Sequence, residues 1–307
     1  MKIRQLLVVI DPTQEAQPAL QRAAWVARRN GAALELLLCE HQSALEGGLL
    51  DGPRLQHARD GLLEQRRAWL EQLAEPLRAE GLTVTCETRW GRPLYKMILA
   101  RVDELKPDIL FRNAYQHSLL QRLLFTSNSW QLIRKCPCPL WLTGAREWQP
   151  KRLCAAVDPL HSADKPAALD HQLLAISREL AESLQLQASY VHAYAPLPRT
   201  MVFDAELVAD YDSYCRKYGE QHRQAFDRLL AGYTGAEGQG HLVEGFAEQA
   251  VPRFVEEQDI DLLLMGAIAR GHLDNALIGN TAERILEAVR CDLLVVKPQG
   301  FGSSDQT

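Results

Sequence analysis

The chain contains one unit twice. Leu7-Val8-Val9-Ile10-Asp11-Pro12 is an apolar run closed by Asp-Pro, and Leu153-Cys154-Ala155-Ala156-Val157-Asp158-Pro159 repeats it. Further along, Pro107-Asp108-Ile109-Leu110-Phe111-Arg112-Asn113-Ala114 matches Ile260-Asp261-Leu262-Leu263-Leu264-Met265-Gly266-Ala267. Each half closes alike, with Arg134-Lys135-Cys136-Pro137-Cys138-Pro139-Leu140-Trp141-Leu142 set against Val289-Arg290-Cys291-Asp292-Leu293-Leu294-Val295-Val296. The matches keep their order at offsets from 147 (Asp11 to Asp158) to 155 (Cys136 to Cys291). A fold is therefore needed that a half-chain can complete alone, and a half of this 307-residue chain is of ordinary domain size, about 100–200 residues. Differences between the halves then point to the half that keeps a site.

Within each half, short apolar runs alternate with amphipathic stretches. The runs predict strands at Gln5–Ile10, Leu34–Glu40, Thr83–Arg89, Asp108–Asn113 and Leu140–Leu142, then at Leu153–Val157, Gln187–Ala193, His241–Glu244, Asp261–Gly266 and Leu293–Lys297. Helical spacing marks Ala16–Arg29, which Asn30-Gly31 stops, Leu55–Glu80, which Gly81 ends, and Pro93–Glu104. Half two repeats this at Lys165–Leu184, Ala205–Leu230, Glu248–Glu257 and Thr281–Val289. Alternating strands and helices imply βαβ units. Asp-Leu-Leu-Leu-Met-Gly and Asp-Leu-Leu-Val-Val are continuously apolar, as strands buried on both faces are. The expected class is α/β: two tandem doubly wound domains, each an open five-stranded parallel sheet with helices on both faces. The expected domains are 1–145 and 150–299, with a linker at Gly144–Pro150 and a flexible tail at 300–307. Ligands of such sheets bind at strand carboxyl ends, where strand order reverses.

Composition narrows the function classes. Hydrophobic residues make up 47% and charged residues 24%, ordinary for globular chains. A net charge of −5 gives no electrostatic reason to expect nucleic acid or an anionic membrane as partner. No apolar run approaches the roughly 18 residues of a membrane span. Met1-Lys2-Ile3-Arg4-Gln5 enters a strand directly, so no leader is expected. Seven cysteines, several within strand-like runs (Cys39, Cys86, Cys154), read as buried thiols of a reducing cytoplasm. Cys136 and Cys138 are too close in sequence for a C-x-x-C pair and read as strand-entry residues.

Half two holds the one candidate phosphate loop. Its fourth strand ends at Gly266, and Gly279-Asn280-Thr281 opens a helix. Glycine lets backbone approach a ligand, and a helix N-terminus offers bare N–H groups to an anion. The same residues also fit a strand end followed by a plain helix cap.

The chain resembles the tandem-type universal stress proteins, the UspE-like branch. The residues that carry the likeness are Val8-Val9-Ile10-Asp11-Pro12, Phe125–Pro137, Met265-Gly266, Gly279-Asn280-Thr281-Ala282-Glu283-Arg284 and Arg290–Pro298. The resemblance covers nearly the whole chain. It implies two nucleotide-binding-like domains (the adenine nucleotide alpha hydrolase-like, Rossmann-like class), with the last strands, Leu140–Leu142 and Leu293–Lys297, pairing as an intramolecular pseudo-dimer. It leaves a homodimer open. In ATP-binding relatives the signature is G-x2-G-x9-G-[ST]. Here it reads Gly266, Ala269, Gly279, Asn280, with Thr281 one position late. The spacing is intact and two of four positions are changed. The family's sugar-binding Asp falls on Asp158, and the adenine-lining strand end on Val191, with His192 beside it. ATP is the implied cofactor, expected to bind weakly or not at all, since Ala269 adds a methyl group where a phosphate-wrapping backbone needs room or positive φ, and Asn280 lacks the hydroxyl.

Half one lacks the loop: Tyr115 and Phe125 stand where glycines would be, and Asp11-Pro12 also fits a simple turn. It reads as a structural or docking domain. Half two is expected to hold a small-molecule ligand near Asp158, Val191, Gly266, Ala269, Gly279, Asn280 and Thr281. Nine histidines form no H-x3-H or H-E-x-x-H set, although His192, His241 and His272 fall near one sheet edge. Tyr190, Tyr194, Phe203, Tyr211, Tyr214 and Tyr218 read either as core and helix packing or as an aromatic pocket wall. No catalytic residue and no metal site is expected. The expected function is a cytoplasmic, non-catalytic stress-response protein that binds a ligand or acts as an adaptor. The alternative is a hydrolase acting on a nucleotide or acyl-type ligand in the half-two cleft.

Overall fold

The computed structural model describes residues 2–45, 52–116, 123–124, 126–144, 148–160, 168–202, 210–233, 239–267, 269–270 and 277–298. The chain forms two compact units, the first of residues 1–117 and 124–148 and the second of 149–307 with 118–123. In unit 1 the strands are β1 (Gln5–Val9), β2 (Ala33–Glu40), β3 (Val84–Trp90), β4 (Ile109–Asn113) and β5 (Leu140–Thr143). Its described helices are α1 (Pro18–Asn30), α2 (Gly52–Ala79), α3 (Leu94–Leu105) and α4 (Ser127–Lys135). The sheet is parallel throughout, in the order β3-β2-β1-β4-β5.

Unit 2 repeats the plan. Its strands are β6 (Arg152–Ala156), β7 (Gln187–Tyr194), β8 (Gly240–Glu244), β9 (Leu262–Gly266) and β10 (Asp292–Val296). Its described helices are α5 (Ala168–Leu184), α6 (Tyr211–Ala231), α7 (Ala247–Glu257) and α8 (Asn280–Ala288). The parallel order is β8-β7-β6-β9-β10. In both units the crossovers run one way from the first strand to the third and the other way from the third to the fifth. Right-handed crossovers of opposite direction lie on opposite faces, so each sheet is covered on both sides.

Burial follows from that layering. Leu6, Leu7, Val8, Leu36, Leu37, Leu110 and Phe111 in unit 1, and Leu262, Leu263, Leu264, Leu293 and Leu294 in unit 2, are fully buried. The edge strand β3 instead begins with alternation, Val84 and Cys86 in and Thr85 out. Phe111 stacks on the buried Trp141 at a centroid distance of 5.0 Å.

The repeat extends to individual hydrogen bonds. Asp108 Oδ2 accepts from the backbone N–H of Arg4 (2.6 Å) and Gln5 (2.9 Å). Asp261 Oδ2 accepts from Lys151 (2.7 Å) and Arg152 (2.9 Å). The aspartate before the fourth strand thus holds the start of the first strand in both units.

The strand and helix expectations hold to within a few residues where the structure describes them. Gly31 ends α1 at φ 64°, its N–H returning to Ala27 O. Two details differ. Pro93 is the N-cap of α3 rather than part of its first turn. Helix α4 was not expected from periodicity; Thr126 caps it, its side chain accepting from Ser129 N. Residues 203–209 of the long half-two helical stretch lie outside the described residues.

Candidate functional site

Strand order reverses between β1 and β4 in unit 1, and between β6 and β9 in unit 2. The carboxyl ends at these junctions are where such sheets take ligands. The same place is filled differently in the two units.

In unit 1, Asn113 ends β4 and is buried. Its Oδ1 accepts from Ala19 N in the first turn of α1 (2.8 Å) and from Thr143 Oγ1 (3.3 Å). Its Nδ2 donates to Gln14 Oε1 and Gln17 Oε1, each at 3.4 Å. Gln17 Nε2 donates to the carbonyls of Asp11 (2.7 Å) and Gln14 (2.8 Å). Asp11 Oδ1 accepts from Thr13 N and Thr13 Oγ1, closing the turn read as one possibility for Asp11-Pro12. An Ala19 N–H that an incoming anion would seek is already taken by an internal amide. Tyr115 lies in a two-residue strand after β4, and Phe125 lies outside the described residues.

In unit 2, Gly266 occupies the place of Asn113. A Cβ built on Gly266 would lie 2.6 Å from Leu169 Cδ2, on the first turn of α5. Leu169 is fully buried, so the glycine has a packing reason of its own. Asp158, just past β6, donates its N–H to Asp170 Oδ1 (3.2 Å), and its side chain is 46% exposed. Val191 is buried within β7 and pairs with Ala156. Ala269 pairs with Ile278 in a two-residue antiparallel ladder. Gly279 is the N-cap of α8 at φ −61°, a conformation open to any residue, and Asn280 begins the helix as an exposed side chain with Thr281 next. Residues 268 and 271–276 of the loop lie outside the described residues.

The strongest polar cluster was only half visible in the sequence. His192 on β7 and His222 on α6 are buried and stacked, their ring centroids 5.0 Å apart. His192 Nδ1 lies 3.1 Å from Val157 O, and His192 Nε2 lies 2.8 Å from His222 Nδ1. Asp158 Oδ1 is 3.9 Å from His192 Nδ1. Burial lowers the pKa of both rings, and the Asp158 carboxylate opposes that shift. Around the pair, His222 lies 4.5 Å from Tyr218 and 5.4 Å from Tyr194, and His192 lies 5.8 Å from Phe226. Tyr214 continues the row, 5.8 Å from Tyr218, and Tyr211 stands 6.0 Å from Tyr214. Tyr211, Tyr214 and Tyr218 therefore form one row of rings along α6 that ends on the histidine pair, with Tyr194 of β7 beside it. Tyr190 lies apart from that row in the core, and Phe203 lies outside the described residues.

His241, a candidate by position, packs instead against Phe254, the rings tilted by 50° with centroids 4.8 Å apart, and His272 lies outside the described residues. Among the described residues no three His, Cys, Asp or Glu side chains are grouped as metal ligands. Burial raises Cys39 and Cys154 to about 12 and Cys86 to about 11, which leaves them protonated and unreactive. No helix among the described residues is long and apolar enough to cross a membrane.

Comparison with known proteins places this geometry. The model of the universal stress protein family matches twice, over residues 2–144 and 150–297. Universal stress protein E of Photorhabdus laumondii is 31% identical over 300 residues, spanning 96% of this chain and 95% of that protein. Universal stress protein E of Escherichia coli K12 is 30% identical, with 96% and 94% covered. A solved structure, the functionally unknown protein PA1789 of Pseudomonas aeruginosa PAO1, superposes with a TM-score of 0.73 at 27% identity, covering 97% of this chain and 94% of that one. With two copies of the domain, each a five-stranded parallel sheet, the chain belongs to the universal stress protein family.

Proposed function

We propose that this stress-response protein works as a non-catalytic ligand-binding or adaptor protein of the cytoplasm, with its ligand held in unit 2 at the carboxyl ends of β6, β7 and β9. The observation that carries the reading is the contrast between Asn113 and Gly266. In unit 1 an amide side chain consumes the α1 N–H and ties the first strand end to the fourth. In unit 2 the same place has no side chain, and on the neighbouring strand end Asp158 lies 3.9 Å from His192 of the histidine pair. Asp158, Val191, Gly266, Ala269, Gly279, Asn280 and Thr281 are the ligand-lining residues of this reading.

ATP is the natural probe, and weak binding is expected. Asn280 lacks the hydroxyl of the family's signature position, a contact worth about 0.5–1.5 kcal/mol net. Ala269 adds bulk where a phosphate would approach. Together these predict affinity roughly ten- to a hundredfold below that of an intact loop. The test is calorimetric titration of ATP into the wild type and into Ala269→Gly/Asn280→Ser, with mass spectrometry of the purified protein for a retained ligand. Submicromolar binding by the wild type would refute the weak-site reading. A retained ligand cross-linking to unit 1 would refute the placement.

A further inference from the structure

The tautomers of the histidine pair follow from its partners. Val157 O only accepts, so the nitrogen beside it, His192 Nδ1, carries a hydrogen. In a neutral His192 ring, Nε2 is then a bare acceptor. Its neighbour at 2.8 Å, His222 Nδ1, must therefore donate. Both neutral rings are thus Nδ1–H tautomers, linked in one direction: His222 to His192 to the Val157 carbonyl. One ring nitrogen is left over, His222 Nε2, a lone pair with no hydrogen-bond partner among the described residues.

We propose that His192 and His222 form a one-proton switch in unit 2, in which a proton is taken up first at His222 Nε2 and turns that atom from acceptor to donor. A proton there breaks no hydrogen bond in the relay. It strengthens the bond to His192, because an imidazolium Nδ1–H donates better than a neutral one. A proton added at His192 Nε2 while His222 Nδ1 keeps its own would instead destroy that bond, and passing the shared proton across to His192 would keep the bond but place the charge on the more buried ring (1% against 8% exposed). The neighbours allow one charge at His222. Asp158 is the carboxylate that favours its protonation, Asp170 on α5 adds to this at His192, and the faces of Tyr218 and Tyr194 border the His222 ring. Glu244, on the neighbouring strand β8, accepts from Tyr194 Oη (3.3 Å). Desolvation opposes the charge on both rings, so uptake falls below the usual histidine range. His222 Nε2 therefore offers an acceptor at neutral pH and a donor, on a cation favoured by Asp158, after acidification. This polarity change needs no bound ligand, so it stands or falls separately from the ligand-binding reading above.

The test is nitrogen-15 NMR of the full, uniformly labelled chain. At pH 8, two rings should show a protonated Nδ1 and a bare Nε2, with a coupling across the hydrogen bond between His222 Nδ1 and His192 Nε2. That coupling identifies the pair in the wild type, and His222→Asn and His192→Asn confirm the assignment. On acidification, His222 Nε2 should become protonated while His192 stays neutral over at least about one further pH unit. His222→Asn keeps an amide donor near the place of Nδ1 and lacks Nε2, so it should fold and lose that proton uptake. An Nε2–H tautomer for either ring at pH 8, His192 charging first, or both rings charging together would each overturn the proposal. The wild-type spectra decide the matter even if a variant does not fold.

Discussion

At the scale of single residues, the fourth-strand ends show how one position decides a site. Gly266→Ala would drive a methyl group into Leu169, and a buried clash of this kind costs about 1–3 kcal/mol. Urea unfolding should show that loss, and Gly266→Ala/Leu169→Val should recover part of it. Asn113→Ala acts by the opposite route: it leaves Ala19 N without its acceptor in a buried place, for about 1–3 kcal/mol. An unchanged unfolding midpoint for Asn113→Ala would mean that the amide network contributes little. None of this was legible beforehand. Asn113 and Gly266 were visible as strand ends, but Leu169 lies 97 positions from Gly266 (266 − 169), and no local pattern connects them. His222 was missed for the same reason. It lies 30 positions from His192, inside a helical stretch where a lone histidine has no signature.

At the scale of elements, the sequence served better. Short apolar runs located all ten main strands, and inner ones such as β9 and β10 were plainest because a parallel strand covered on both faces has no polar side. Helix α4 escaped the reading of periodicity; its sign was the cap, Thr126 three positions before Ser129. Element contacts also carry their own predictions. Arg101 on α3 grips the buried Glu35 on β2 through Nε (2.6 Å) and Nη2 (2.5 Å). Arg101→Ala would strand a buried carboxylate and should destabilise the protein by about 3–5 kcal/mol, whereas Glu35→Leu/Arg101→Met should be close to neutral. Chemical denaturation of the two variants separates the outcomes. In unit 2, the histidine pair fastens α6 to β7. Its folded pKa values are lowered, so protons bind the unfolded chain more readily. The stability it contributes is present above the unfolded value of about 6.5 and is lost as pH falls through that value toward the lower folded ones. His222→Phe should flatten that part of a pH–stability curve; an unaltered slope would exclude the pair as its source.

At the scale of the whole molecule, the net charge of −5 vanishes near the sequence pI of about 6.0. Self-repulsion is then minimal, and light scattering should show most association near pH 6 and less at pH 8. If association instead rises steadily toward pH 8, net charge does not govern it.

The paired volumes at the two strand ends bear on how the halves could ever exchange roles. Asn113 sits against the small Ala19, and Gly266 against the large Leu169. Turning one arrangement into the other takes two coordinated changes, and either change alone leaves a clash, a void or an orphaned N–H. Each half is thus held in its present form by a second site, as by a ratchet. A single substitution toward the other half's pairing should therefore lower stability in either unit.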